Sequence, residues 1–251
     1  MAAEGNAIDA LSQFELVPVL GAVGHAVGFT QSNMFMVFAL GLTMALLVYG
    51  MRERAVVPGR LQSLAETSYE FLYGLVTDQV GDEGKRFFPF VFTLFMFVLF
   101  GNLLGMLPYA FTFTSHIAVT FALAAMVFVL ITVVALMLHG THFFSYFLPE
   151  GAPKALAPLI IVIEIISYLS RPISLSVRLF ANMVAGHVML KVFATFIVLM
   201  GSAGVIGVIG AAAPLAINVA LIGFEFLVAF LQAYVFAMLT CIYLHDAVHL
   251  H

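Results

Sequence analysis

Arg178 stands in an apolar stretch, 155–200, whose other charges are Glu164, Arg171 and Lys191. A guanidinium keeps its proton throughout the accessible pH range, so it cannot escape an apolar medium by becoming neutral. Inside a bilayer span such a charge costs at least about 2.5–3.5 kcal/mol on insertion scales. A charge kept there is a candidate for ion handling, with a partner to be named. The plainer alternative is a structural ion pair with Glu225 or Glu164.

Other polar groups in the last two apolar stretches can be sorted by helical geometry. Asn182 is four residues from Arg178 and shares its face. Glu164 and Arg171 precede Arg178 at heptad spacings and share roughly the same side. Ser167 and Ser174 add hydroxyls to this stretch. His187 lies nine residues on, half a revolution round and about 13 Å along the axis. In the final stretch, Glu225 and Gln232 are seven apart and share a face. His187 and Glu225 both titrate, and burial or mutual contact can bring either near neutral pH. That chemistry suits a proton relay. His187 alone would read as a hydrogen-bonded core histidine. Arg171 reads as an anchor for a bend before Pro172, and Lys191 as a side chain snorkelling toward a helix end.

The composition says what must position these groups. Of 251 residues, 63% are hydrophobic and 9% charged. A water-soluble fold of this size could not hide so much apolar surface, so the solvent is a bilayer. Uncharged runs at 34–51, 87–107 and 117–138 have the length of membrane spans. The stretches 155–200 and 211–244 are longer, about 70 Å and 50 Å as helices. Neither holds a polar turn, and Pro172 can kink a helix without making a loop. Two long, tilted helices, joined through a break at Gly201, Gly204, Gly207 and Gly210, fit better than four short spans. Such tilt needs a packing partner. Between the first two spans, Leu61, Leu64, Ala65, Leu72, Leu75 and Val76 fall on one helical face. This predicts an amphipathic helix over 61–80 at the membrane surface. The expected fold is therefore an all-α membrane protein with residues 1–251 as a single membrane domain. It has five transmembrane helices and an interfacial helix.

Arg52, Arg54, Arg60, Lys85 and Arg86 lie between the first two spans, and Lys154 follows the third. The segments on the other side carry no Lys or Arg through Asn33 and over 108–116. The positive-inside rule then puts the N-terminus outside and the C-terminus in the cytoplasm. No cationic leader opens the chain, so a cleaved signal peptide is not expected. The single Cys241 excludes an internal disulfide framework. His139 with His142 and His245 with His249 have metal-compatible spacings. Each pair lies at a span boundary without a Cys partner, so neither metal nor cofactor is expected. His116 could border an outer entry path.

The run SRPISLSVRLFANMVAGH at 170–187 resembles subunit a of the F-type ATP synthases, most of all in α-proteobacterial and mitochondrial members. The likeness extends to GNLLGMLP at 101–108, to 158–168 and to LQAYVFAMLT at 231–240. It implies a bacterial inner-membrane stator subunit without a catalytic site for ATP. The implied partners are the c-subunit ring, b-type peripheral stalk subunits and the rest of the synthase, with no nucleic acid. Arg178 matches the family's essential arginine, a charge barrier facing the ring. Asn182, Gln232 and Glu164 match its polar positions. Many bacterial members carry Glu at the position of His187 and His at that of Glu225. The exchange here is what two facing groups that share a proton would allow.

The implied mechanism is electrostatic. A ring carboxylate in lipid stays protonated, and facing Arg178 it ionises. Protons then reach and leave the ring through two offset half-channels, and the tilted hairpin lies along the ring's flank. Two rival readings fare worse. A secondary transporter would need a midplane site, usually with repeats, and no repeat is evident. A purely structural subunit leaves Arg178, His187 and Glu225 unexplained.

Overall fold

The computed structural model describes Phe14, Glu15, Pro18, 29–52, 55–107, 110–140, Phe143, Phe147, 156–202 and 204–249. His142, Glu150 and Lys154 lie outside these residues. Among the described residues, six α-helices carry the fold: α1 (Gln31–Gly50), α2 (Arg60–Val80), α3 (Phe88–Gly105), α4 (Ile117–His139), α5 (Ala157–Gly201) and α6 (Val205–Val248). All but α2 are long and apolar enough to cross a membrane. Two short 3-10 turns, Asp82–Phe87 and Phe113–Ser115, precede α3 and α4.

The two long helices are unbroken, with Pro172 and Pro214 inside them. At 1.5 Å per residue they measure about 68 Å and 66 Å, twice the hydrocarbon thickness or more. They pack against each other as a hairpin: α5 ends at Gly201, and α6 starts at Val205 after Gly204, which takes φ 85°. The expected start of the last span at 211 is thus too late, and Gly207 and Gly210 are helical. Gly210 faces α5 across the hairpin, where a Cβ would lie 2.6 Å from the flexible end of the Met200 side chain.

The C-terminal end also runs past the expected residue 244. Asp246 forms an ion pair with Arg171 at 3.4 Å, and His139 Nε2 lies 3.1 Å from the Ala247 carbonyl. These contacts give the last turn partners inside the protein. Arg171 therefore joins α5 to the end of α6. Its guanidinium lies 5.2 Å from the Tyr168 ring centroid and 4.9 Å from that of Tyr243, a geometry that cation–π attraction favours.

Helix α2 is amphipathic, as its pattern predicts. Ala65, Leu72, Leu75, Val76 and Val80 are buried, whereas Ser63, Glu70 and Asp78 are exposed. Leu61 and Leu64, expected on its apolar face, are exposed in its first turns. Helix α3 is the most enclosed span, buried at Val91, Phe92, Leu94, Phe95, Met96 and Val98. Its end receives the turn before α4. The Phe113 ring occupies the place a Cβ on Gly101 would need, and Thr112 does the same at Gly105. The two glycines let an outer loop sink into the bundle, and this loop reaches the polar centre of the hairpin.

Candidate functional site

His187 on α5 and Glu225 on α6 meet in the hairpin. Nδ1 of His187 lies 2.8 Å from Oε1 of Glu225, and their side chains are 12% and 4% exposed. The contact depends on Gly186. A Cβ at that position would stand 2.7 Å from the same carboxylate oxygen. A helix-interior glycine costs roughly 1 kcal/mol relative to alanine, and here it makes the space into which the carboxylate fits.

The second ring nitrogen is also engaged. Nε2 of His187 lies 2.5 Å from Thr112 Oγ1, which donates to the Gly105 carbonyl at 3.1 Å. Two residues on, Thr114 donates to Asn102 Oδ1 at 2.8 Å. The Asn102 amide in turn donates to the Ala229 carbonyl at 3.3 Å, one turn from Glu225. Both sides of the acid–base pair are thus held by the same loop. Asn102 is fully buried in an apolar span, where an unbonded amide would be costly.

Two cavities flank the pair. One, of about 460 Å³, is lined by His187, Thr112, Lys191, Asn218 and the end of α3 around Gly105. The other, of about 290 Å³, is lined by Glu225, Gln232, Asn182 and Gly186. His187 borders the first and Glu225 the second. The contact between Nδ1 and Oε1 therefore lies between two spaces, each lined by a few polar groups among apolar side chains.

Arg178 has a different setting. It is exposed on the outer side of α5, and among the described residues no acid pairs with it. This removes Glu225 and Glu164 as structural partners. Exposed Ser167, Ser174 and Asn182 accompany it, among apolar Ile163, Ile166 and Val177. Glu164 lies on α5 half-buried, 14 residues and about 21 Å from Arg178 along the axis. Arg171, at heptad spacing, differs in turning inward to Asp246. Seven residues fall 20° short of two full turns, and a long side chain can reach past that edge.

The structure brings His187, Glu225, Asn182 and Gln232 around one polar region. It leaves Arg178, Ser167 and Ser174 on the outward face and Glu164 apart from both cavities. His116 lines neither: its ring stacks on Phe111 at 5.3 Å, and burial lowers its pKa from the ordinary value. His245 and His249 lie ring to ring at 4.7 Å, and no cluster of three metal-ligating side chains occurs among the described residues. Thr112, Asn102, Thr114, Gly186 and Asn218 were not singled out individually by sequence reasoning. The one available signal was Gly186, since a glycine inside a helical pattern marks a close approach.

The chain matches the family model described as ATP synthase A chain over residues 33–245. It is 66% identical to the ATP synthase subunit a of Granulibacter bethesdensis, with both chains covered in full. Its identity to the subunit of Acidiphilium cryptum is 58%, over 99% of this chain and 100% of that one. Against the subunit of Rhizobium leguminosarum it is 54%, over 94% of each. On this evidence the chain belongs to the ATP synthase A chain family, as a multi-pass, non-catalytic membrane-sector subunit of the proton-transporting ATPase complex.

Proposed function

We propose that this chain is the stator proton path of its synthase, with His187 and Glu225 as the relay and Arg178 as the barrier between two offset half-channels. The observation that carries this reading is the pair itself: a buried acid and base in contact between two cavities, each of which includes polar groups. Asn182 and Gln232 extend the path on the Glu225 side. Ser167, Ser174 and Glu164 serve the opposite half-channel along α5.

Arg178 acts on a group that this chain does not supply. An unpaired guanidinium on an apolar face is costly in lipid, and a carboxylate on a facing c-subunit ring answers it. Near Arg178 the cation favours the ionised carboxylate, and away from it lipid favours the neutral acid. Protons thus load and unload on opposite sides of Arg178, and the ring must turn between the two events. Each proton crossing 100 mV supplies about 2.3 kcal/mol. The hairpin lies tilted along the ring, with b-type stalk subunits holding the stator in the bacterial inner membrane. The N-terminus is periplasmic and the C-terminus cytoplasmic, as the Lys and Arg distribution requires.

The test uses inverted membrane vesicles. Arg178→Ala should abolish ATP-driven acidification while the subunit still co-purifies with a ring of small hydrophobic proteins. Normal acidification would overturn the barrier role. Failure of the wild-type chain to co-purify with such a ring would overturn the stator assignment.

A further inference from the structure

Thr112 is 4% exposed, in a loop that its neighbours hold tightly. The Thr112 carbonyl accepts from the Ser115 hydroxyl at 2.6 Å and from the Ser115 backbone N–H at 3.1 Å. Its side chain is therefore delivered to His187 by a fixed turn. A hydroxyl has one proton to donate and lone pairs to accept with. Here two acceptors stand within reach of that proton, the Gly105 carbonyl and Nε2 of His187. Gly105 admits the hydroxyl, because a Cβ there would occupy its place.

We infer that Thr112 is the positioning residue of the relay: its hydroxyl can satisfy Nε2 of His187 in either protonation state, so the ring keeps its orientation as a proton passes. The inference rests on the His187–Glu225 relay proposed above. At 2.8 Å, Nδ1 and Oε1 are within ion-pair distance, and a proton on Nδ1 is favoured because two unprotonated atoms bearing lone pairs so close would repel. When the pair carries an extra proton, Nε2 is protonated as well. The Thr112 oxygen then accepts from Nε2–H, and its own proton goes to Gly105. When the pair holds one proton fewer, the ring proton lies on Nδ1 toward the carboxylate and Nε2 is bare. The Thr112 proton then turns to Nε2. The two arrangements differ by one proton on the pair and a rotation of one hydroxyl. Apolar side chains can serve neither state, and an ammonium only the second.

The experiment compares variants of the assembled synthase in inverted vesicles, with acidification normalised to assembled complex. Thr112→Val keeps the shape and removes the hydroxyl. It should lower pumping about fivefold or more, the consequence of leaving a buried polar nitrogen unpaired. Thr112→Ser should stay within about twofold of wild type, because it keeps the hydroxyl. Should Thr112→Val reduce assembly, Thr112→Ala and Thr112→Ser differ only in the hydroxyl, and serine should pump about fivefold faster. In a His187→Ala background, Thr112→Val should add no further loss. Wild-type pumping by Thr112→Val, or equal pumping by the alanine and serine variants, would overturn the inference. Normal pumping by His187→Ala would instead overturn the relay itself.

Discussion

Glu225 and His187 are matched in chemistry and in placement. The carboxylate is enclosed, and its close neighbours are His187, Gly186 and the lining of one cavity. Glu225→Gln keeps the volume but can no longer take or release a proton, so vesicle acidification should fall at least about tenfold, in line with loss of an acid–base group. Glu70→Gln, on the exposed side of α2, should leave it unchanged. Exchanging the pair, His187→Glu with Glu225→His, should pump better than either single change, because contact makes the two losses non-additive. Fully additive losses would show that the groups act independently. Both residues were legible in the sequence because titratable groups in apolar runs are rare. Their contact was suggested by the resemblance, where the same two residue types stand exchanged. Thr112 carried no such mark. A loop threonine is ordinary, and only the seating of Phe113 and Thr112 against Gly101 and Gly105 brings it to the imidazole.

At the scale of elements, the separation of α5 and α6 at Gly186 sets the geometry of the relay. Gly186→Ala improves helix propensity, yet it should impair pumping. Its Cβ would displace the carboxylate, and a misplacement near 1 Å can cost about a hundredfold in rate. Acidification should drop on the order of tenfold or more while the subunit still assembles; an unimpaired variant would mean the carboxylate has room to move. The element pattern itself was legible. Runs of apolar residues without charge gave the spans, and the absence of a polar turn kept α5 and α6 whole. The ends were less so. Glycine-rich sequence reads as a break, but α6 begins right after Gly204 and carries Gly207 and Gly210 within it. The pairing of Arg171 with Asp246 joins residues 75 apart and depends on the register of the hairpin.

The whole molecule presents an apolar outer surface along α5 and α6 on which Arg178 is the conspicuous charge. Its environment within this chain is incomplete, whereas that of Arg171 is closed by Asp246 and two tyrosines. The contrast separates an arginine that builds the subunit from one that, on the proposed function, is presented to a neighbour. Orientation belongs to this scale too. A membrane-impermeant label should modify a cysteine appended after residue 251 in inverted vesicles and not in right-side-out ones. The reverse pattern would overturn the topology read from the basic residues.

The two arms of the hairpin are tied at both ends: at the tip, where α5 ends at Gly201 and α6 starts at Val205, and, far from it, by the pair between Arg171 and Asp246. A beam clamped at both ends bends much less under a sideways load than one clamped at a single end. Arg178 and His187 lie on the stretch of α5 between those two fixings. A ring pushing past this flank would therefore meet a stiff bar, and the spacing between charge and relay would survive the load.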